Sequence, residues 1–319
     1  MKNTHKAPSK EAKIFVAGHN GMVGSSIHRT LQKYGYVNLI TRSRQELNLC
    51  NQEAVEGFIR AEKPDYIFMA AAKVGGIHAN NTYRADFIYE NLMIEANLIN
   101  SAARHGVGRL MFLGSSCIYP RDCPQPMKEE YLLTGALEPT NEPYAIAKIS
   151  GIKLCENYNR QYGTKFVSVM PTNLFGPNDN YDLMNSHVIP ALIRKAHDAK
   201  IEGAKELIVW GSGSPRREFL YVDDLADACV LLMEKNISEG VFNVGTGTDV
   251  TIKELVEIIT SVVRYQGNIV FDTKKPDGSP QKLLDVTKIN ELGWSPKTQL
   301  WDGIALAYED YVKKCSEHG

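Results

Sequence analysis

A tyrosine and a lysine four residues apart are the side chains of this sequence with the clearest chemical use. Tyr144 and Lys148 stand in the run Tyr-Ala-Ile-Ala-Lys, so a helix would place both groups on one face, about a turn apart. An ammonium group beside a phenol makes the phenolate easier to form, and the tyrosine can then exchange a proton near neutral pH. The pair alone is weak evidence, because the same spacing also occurs on solvated helix faces.

Hydroxyl groups precede this helix at the end of a predicted strand. The strand ends at Gly114, and Ser115 and Ser116 follow it directly. Ligands bind beyond the carboxyl ends of the strands in an open parallel sheet, so a hydroxyl here can polarise a carbonyl oxygen beside Tyr144. With Lys148, these residues predict the serine, tyrosine and lysine of a short-chain dehydrogenase/reductase.

A glycine-rich turn joins the first predicted strand to the first predicted helix. Gly18, Gly21 and Gly24 follow the spacing Gly-x-x-Gly-x-x-Gly. Glycines at such a turn allow a tight bend and let the backbone approach a pyrophosphate at the helix N-terminus. We therefore expect a dinucleotide to bind here, although a close-packed turn without a ligand would show the same spacing.

The end of the second predicted strand indicates which dinucleotide binds. NAD usually meets an acidic residue there, which accepts hydrogen bonds from the ribose hydroxyls. This strand ends instead in Arg42-Ser43-Arg44, and the first carboxylate is that of Glu46. Two guanidinium groups suit the 2'-phosphate of NADP, so NADP is the predicted cofactor, unless both arginines are simply solvated.

The bulk composition narrows the class of protein. The chain has 319 residues, of which 43% are hydrophobic, so it can form a substantial core. A formal net charge of −1 and dispersed basic residues argue against a nucleic-acid or membrane-surface partner. The six cysteines are scattered, without Cys-x-x-Cys or zinc-like spacing, which predicts free thiols in a reducing cytoplasm and no metal site.

Strands and helices alternate in the first half of the sequence and become less regular in the second. We predict an α/β fold, with a doubly wound Rossmann-type parallel sheet and a smaller, interleaved C-terminal α/β substrate lobe. The predicted division is a flexible tail over residues 1–12, a cofactor-binding domain over 13–175 and about 219–247, and a substrate-binding lobe over 176–218 and 248–319. The predicted strands cover residues 13–17, 37–41, 66–69, 109–113, 166–170, 207–210, 241–244 and 268–271, and the predicted helices cover 22–34, 52–62, 83–105, 144–162, 186–200, 222–235, 252–263 and 301–314.

Seven short segments along the chain carry a family resemblance. They cover residues 18–24, 71–77, 114–120, 138–144, 170–177, 185–190 and 275–278. Together they resemble the GDP-L-fucose synthase family of extended short-chain dehydrogenase/reductases, over nearly the whole chain from about Lys13 to Tyr311. The resemblance implies a GDP-sugar substrate and NADPH-dependent 3,5-epimerisation and 4-reduction of GDP-4-dehydro-6-deoxy-D-mannose to GDP-L-fucose. It also implies a homodimer formed through the helices near 83–105 and 144–162.

The resemblance also assigns roles to individual residues. Cys117 resembles the epimerisation base of the family and His187 the acid, which join Ser115, Tyr144 and Lys148 as the catalytic residues. A thiol with a reference pKa of about 8.5 needs some lowering of that pKa to be a useful base. The implied cofactor-binding residues are Gly18, His19, Asn20, Gly21, Met22, Val23, Gly24, Arg44, Leu47, Asn48, Leu49, Ala71, Ala72, Leu113, Gly114, Ser116, Lys148, Pro171, Thr172, Asn173, Leu174 and His187. The implied substrate-binding residues are Ser116, Cys117, Asn173, Lys195, Trp210, Arg217 and Asp277.

One departure from the family and three other functions bear on this interpretation. Relatives often carry an arginine at the position of Asn20, so its loss leaves more of the phosphate binding to Arg44. A C4 epimerase with tightly bound NAD would need no external reductant and would not use Cys117. A 4,6-dehydratase would carry Thr-Asp-Glu where this chain has Ser115-Ser116-Cys117. A non-catalytic dinucleotide sensor would have no reason to keep a complete proton-transfer set.

Overall fold

Strands and helices alternate through the first half of the chain in the computed structural model, which describes residues 7–183, 185–275 and 277–318. The strand Ile14–Ala17 is buried on both faces, as is usual inside a parallel sheet covered by helices. The elements of this half are β1 (Ile14–Ala17), α1 (Met22–Lys33), β2 (Leu39–Ile40), α2 (Gln52–Glu62), β3 (Tyr66–Met69), α3 (Ile77–Thr82), α4 (Arg84–Arg104), β4 (Arg109–Leu113), α5 (Glu142–Tyr162) and β5 (Phe166–Pro171).

The second half contains shorter strands between its helices. Its strands are β6 (Asn173–Phe175), β7 (Glu206–Trp210), β8 (Arg216–Arg217), β9 (Phe219–Tyr221), β10 (Val241–Val244), β11 (Val250–Thr251), β12 (Asn268–Asp272) and β13 (Gln281–Lys282). Its helices are α6 (Val188–Ile201), α7 (Val222–Glu234), α8 (Ile252–Val263), α9 (Thr287–Asn290) and α10 (Leu300–His318). The strands of this half other than β10 form small sheets, in the order β11-β8-β13, β12-β7 and β6-β9.

A six-stranded sheet forms the centre of the larger lobe. Its order is β2-β1-β3-β4-β5-β10, and every neighbouring pair is parallel. The chain passes from β1 to β2 on one side and returns to β3 on the other, so a crevice opens at the carboxyl ends of β1 and β3. The doubly wound Rossmann-type sheet predicted from the sequence is confirmed.

The helix that carries Tyr144 begins two residues earlier than predicted. Pro143 occupies its first turn, where the missing N–H of a proline costs nothing, and the helix ends at Gly163, which has a left-handed φ of 67°. This helix, α5, packs along α4. The predicted strand over residues 37–41 contracts to Leu39–Ile40, because Val37 is exposed and β2 lies at the sheet edge.

The buried apolar residues form two separate clusters. One surrounds the six-stranded sheet, and the other lies among α6, α8, α10 and the β7–β12 pair. The domain boundaries given above stay a prediction. Of the predicted flexible tail, residues 1–6 lie outside the described part of the chain, whereas the Lys10 ammonium lies 2.7 Å from the Glu234 carboxylate. Within the described ranges, no helix has both the length and the apolar character required to cross a membrane.

Candidate active site

A cleft of about 580 Å³ opens at the carboxyl ends of β1, β3, β4 and β5. Every residue predicted to bind the cofactor lines it, together with the hydroxyl of Ser115 and the ring of Tyr144. The cleft is therefore where the sheet topology places a ligand site, and the predicted residues converge there from four separate strand ends.

The glycine turn at one end of the cleft leaves no room for side chains. Gly18 has a φ of +86°, and a Cβ atom there would lie 2.7 Å from the backbone nitrogen of Ala71. A Cβ atom on Gly24 would lie 2.1 Å from the carbonyl oxygen of Gly18. Because the turn leads directly into the N-terminus of α1, this close-packed backbone fits a pyrophosphate.

The two predicted phosphate-binding arginines differ in their surroundings. The Arg42 guanidinium donates to Glu62 at 2.9 Å and lies 5.2 Å from the centroid of the Phe58 ring, so it is already engaged. The Arg44 side chain is 76% exposed and lies 3.3 Å from the carboxylate of Glu90. Of these two arginines, Arg44 is the one placed to meet a 2'-phosphate.

Sequence reasoning missed Glu90, which lies on α4 and lines the same cleft. Its carboxylate accepts hydrogen bonds from both Arg44 and Lys73. This acidic group partly neutralises the cations at the 2'-phosphate end of the cleft. Its sequence signal is weak, because it is one of several charged residues on a long helix.

Tyr144 and Lys148 lie at the base of the cleft in the first two turns of α5. The Lys148 ammonium donates to the carbonyl oxygen of Leu113 at 3.0 Å and lies 5.7 Å from the centroid of the Tyr144 ring. Burial raises the pKa of Tyr144 well above its ordinary value, and the neighbouring acidic groups Cys117 and Glu95 add to this rise. The phenol is therefore protonated at neutral pH.

Cys117 lies in the short 3-10 helix Ser116–Ile118, which follows β4. Its backbone N–H donates to the Ser115 hydroxyl at 3.4 Å, which holds the two residues in one tight loop. Burial raises the pKa of the Cys117 thiol, while the Ser115 hydrogen bond and the cations of Lys282 and Lys148 oppose that rise. The sequence argument required a lowered thiol pKa, whereas the structure raises it.

His187 lies at the mouth of the cleft, immediately before α6. Its side chain is exposed to solvent, yet the protein around the ring lowers the pKa of the imidazole by partial desolvation. The backbone N–H of Gly76 donates to the carbonyl oxygen of Asn185 at 2.8 Å and so ties this loop to the one after β3. The imidazole is mostly neutral at pH 7 and can accept a proton there.

The predicted substrate residues beyond the cleft form two groups. The exposed Trp210 ring has the ammonium groups of Lys195 and Lys275 at 5.1 and 5.2 Å from its centroid. Asp277 accepts from the hydroxyl of Ser212 at 2.7 Å. Burial lowers the pKa of the Arg217 guanidinium, and the charge of Asp277 opposes that fall. Pro276, in the predicted motif beside Asp277, lies outside the described residues.

Lys282 is a second site residue that the sequence argument missed. Burial lowers the pKa of its ammonium, whereas the acidic groups of Cys117, Glu138 and Cys123 raise it, and Arg217 lowers it further. Lys282 thus interacts electrostatically with both the Cys117 thiol and the Arg217 guanidinium. Its partners come from distant parts of the chain, so no local pattern in the sequence could have indicated it.

Comparisons with known proteins agree with this geometry. Residues 14–245 match the model of the NAD dependent epimerase/dehydratase family. The chain is 57% identical to GDP-L-fucose synthase 1 of Arabidopsis thaliana, over 95% of this chain and 94% of that one. It is 55% identical to GDP-L-fucose synthase of Escherichia coli K12, over 94% of this chain and 97% of that one. Among solved structures, MlghC, a GDP-mannoheptose C4 reductase from Campylobacter jejuni with NADP bound, superposes with a TM-score of 0.88 at 41% identity, covering 96% of this chain and 99% of that one.

Proposed function

This chain belongs to the NAD dependent epimerase/dehydratase family, and we propose that within it the protein is an NADPH-dependent GDP-L-fucose synthase. It inverts C3 and C5 of GDP-4-dehydro-6-deoxy-D-mannose and reduces the C4 ketone. The observation that carries the proposal is that Ser115, Tyr144, Lys148 and His187 line one cleft, while Cys117 is held in the loop beside Ser115.

The C4 oxygen is held by the hydroxyl of Ser115 and the phenol of Tyr144. A ketone at C4 acidifies the protons at C3 and C5, since each carbanion delocalises into an enolate. Two hydrogen-bond donors at the C4 oxygen stabilise both enolates and also the alkoxide formed on reduction. One pair of donors therefore serves epimerisation and reduction alike.

Cys117 and His187 move the protons at C3 and C5. Cys117 removes a proton as the thiolate, and His187 returns one on the opposite face as the imidazolium. The raised thiol pKa makes the thiolate a minor species, so Lys282 and Lys148 are required to stabilise it. Hydroxyl donors at C4 and a thiol base in one loop distinguish this site from that of a simple reductase.

The cleft fits NADPH, which when bound supplies the hydride for C4. The glycine turn at residues 18–24 takes the pyrophosphate, and Arg44 takes the 2'-phosphate. Lys148 holds the nicotinamide ribose hydroxyls. Tyr144 gives its proton to the C4 alkoxide, and the small side chains of Ala71 and Ala72 let the backbone approach the dinucleotide.

The diphosphate and guanine of the substrate lie outside the cofactor cleft. Arg217, Lys195 and Lys282 provide cations for the diphosphate, and the exposed face of Trp210 provides a stacking surface. Asp277 accepts hydrogen bonds from the nucleotide sugar with the carboxylate oxygens that Ser212 already orients.

We further infer a homodimer that forms through α4 and α5, in a reducing cytoplasm. Large apolar side chains are exposed along these helices, among them Tyr89, Ile146 and Tyr162. An unpaired apolar surface of this kind is typical of a face that packs against another chain. The described cysteines are all free thiols, which suits a cytoplasmic location.

Product analysis tests the proposed function. The purified protein receives the 4-keto GDP-sugar with NADPH, and NMR then reports the configuration at C3, C4 and C5. We expect one NADPH oxidised per sugar and inversion at both C3 and C5. Reduction without inversion would identify a C4 reductase, and turnover without net oxidation would identify an epimerase.

A further inference from the structure

A buried carboxylate lies next to the Tyr144–Lys148 pair, and the proposed mechanism does not use it. Glu95 lies in the middle of α4 with its side chain 1% exposed, and the side chain of Lys148 is 2% exposed. The carboxylate oxygen Oε1 of Glu95 lies 3.2 Å from the ammonium nitrogen of Lys148. The catalytic lysine therefore has a buried acidic partner on the neighbouring helix.

The surroundings of this pair provide little other compensation for its charges. Among the described residues, neither oxygen of Glu95 has a hydrogen-bond partner of good geometry. The ammonium of Lys148 is held by Glu95, by the Leu113 carbonyl oxygen at 3.0 Å and by the Phe112 ring, whose centroid lies 4.8 Å away. A Cβ atom on Gly151 would lie 2.9 Å from Oε2 of Glu95, so α5 has a glycine where the carboxylate packs.

This arrangement is costly for folding. A buried carboxylate with few hydrogen bonds loses its hydration, and well-packed apolar residues often replace buried ion pairs without loss of stability. Burial raises the pKa of Glu95 to about 7, against the opposing effect of Lys148. An unfavourable charge kept beside a catalytic lysine points to a role in the reaction rather than in folding.

We propose that Glu95 is a positioning residue: its carboxylate holds the Lys148 ammonium at the base of the cleft and offsets its charge, so that Tyr144 stays a protonated donor. The inference rests on the proposed reduction at C4, which needs the phenol and not the phenolate. Without Glu95, the Lys148 ammonium would favour the phenolate form of Tyr144. The phenolate is the form required for the reverse reaction, in which the alcohol is oxidised. Glu95 biases the site toward proton donation.

The titratable groups that face Glu95 are consistent with this role. Lys148, Tyr144 and Cys155 face it from α5, and β4 contributes the Phe112 ring and the Leu113 carbonyl. Among these groups, the Lys148 ammonium is the cation. The charge of Glu95 raises the pKa of both Tyr144 and Cys155, so its removal should lower the pKa of the phenol.

The test measures the ionisation of Tyr144 directly and needs no substrate. Protein labelled with ¹³C at the tyrosine ζ carbon is titrated between about pH 8 and pH 12 with NADP bound, because burial raises the pKa of Tyr144 well above its ordinary value, and the Tyr144→Phe variant assigns the signal. In Glu95→Gln, we expect the apparent pKa of Tyr144 to fall by about one unit, because a unit negative charge is removed from a poorly solvated site. Glu95→Asp, which keeps the charge, should return the pKa toward the wild-type value even if it lowers kcat.

A matched control and a kinetic arm complete the experiment. Glu156→Gln removes a partly exposed carboxylate that pairs with Lys153 on α5, and it should leave the Tyr144 signal unchanged. In single-turnover NADPH oxidation, the loss of rate at alkaline pH should begin at a lower pH in Glu95→Gln than in the wild type, because the phenol pKa is lower.

An unchanged Tyr144 pKa in Glu95→Gln would overturn the inference. Equal losses of rate in the Gln and Asp variants at every pH would also overturn it. If the wild type does not reduce the keto sugar, the proposed function fails, whereas the NMR titration still decides the role of Glu95.

Discussion

Replacement of Cys117 by serine tests the base that the double inversion requires. Burial raises the pKa of the Cys117 thiol above its ordinary value, so the thiolate is a minor species at neutral pH. The rate of proton removal should therefore rise about tenfold per pH unit between about pH 6.5 and 8.5. Cys117→Ser should slow this step by about 10²- to 10⁴-fold, which corresponds to about 2.7–5.5 kcal/mol of transition-state stabilisation.

Deuterium exchange isolates this step from reduction. The keto sugar and NADP⁺ are incubated with the enzyme in D₂O, so no hydride is available, and NMR follows the loss of the C3 and C5 proton signals. Cys123→Ser is the matched control, because Cys123 is a partly buried thiol in the same connection after β4. Wild-type exchange rates in Cys117→Ser, or a flat dependence on pH in the wild type, would refute the assignment of Cys117 as the base.

Three further predictions concern the preference for NADPH over NADH, the glycine turn that binds the cofactor, and the dimer interface. Arg44→Ala should weaken NADPH binding by about 10- to 100-fold and NADH binding by less than about twofold. Glu90→Gln should leave the affinity for NADPH unchanged or increase it. Fluorescence titration measures the dissociation constants of both cofactors. Gly18→Ala should abolish cofactor binding and lower the melting temperature more than the control variant Gly35→Ala does. Both glycines have a left-handed φ (+86° and +84°), so both substitutions strain the backbone. At Gly18 alone, the added Cβ atom would also lie within 3 Å of other backbone atoms. Ile146→Glu should shift the protein toward monomer in light scattering, and an unchanged mass would locate the interface elsewhere.

The elements that follow from local patterns were predicted well. The run Ile14–Ala17 contains only apolar residues, so it is buried in any compact fold. The glycines of the following turn mark where the next helix begins. The short helix Ile77–Thr82 was missed, because its sequence is polar and its place depends on Gly76, whose backbone N–H bonds to Asn185 from a distant loop. The short strands β6, β8, β9, β11 and β13 were missed for the same reason, since contacts with other parts of the chain define them.

The candidate site divides in the same way. The sequence predicts the site residues that lie within or beside a motif, and these stay a prediction. Glu90 and Lys282 interact with groups far away in the chain, so no local pattern indicated them. Glu95 was also missed, although a signal was present. It falls on the buried stripe of α4 that includes Phe87, Asn91 and Leu98, and a charged residue on such a stripe requires a buried partner.

The charges of the site suggest why epimerisation and reduction do not interfere with each other. The thiol of Cys117 must lose a proton, while the phenol of Tyr144 must keep one, and the acidic thiol raises the pKa of the phenol. The neighbouring charges differ between the two groups: the cations of Lys282 and Lys148 oppose the rise in the thiol pKa, whereas the Glu95 carboxylate adds to the rise in the phenol pKa. The field at the thiol is thus more positive than the field at the phenol. We therefore expect Cys117, the proposed epimerisation base, to ionise before Tyr144, so that the proposed proton donor for the reduction is retained until the inverted ketone is in place.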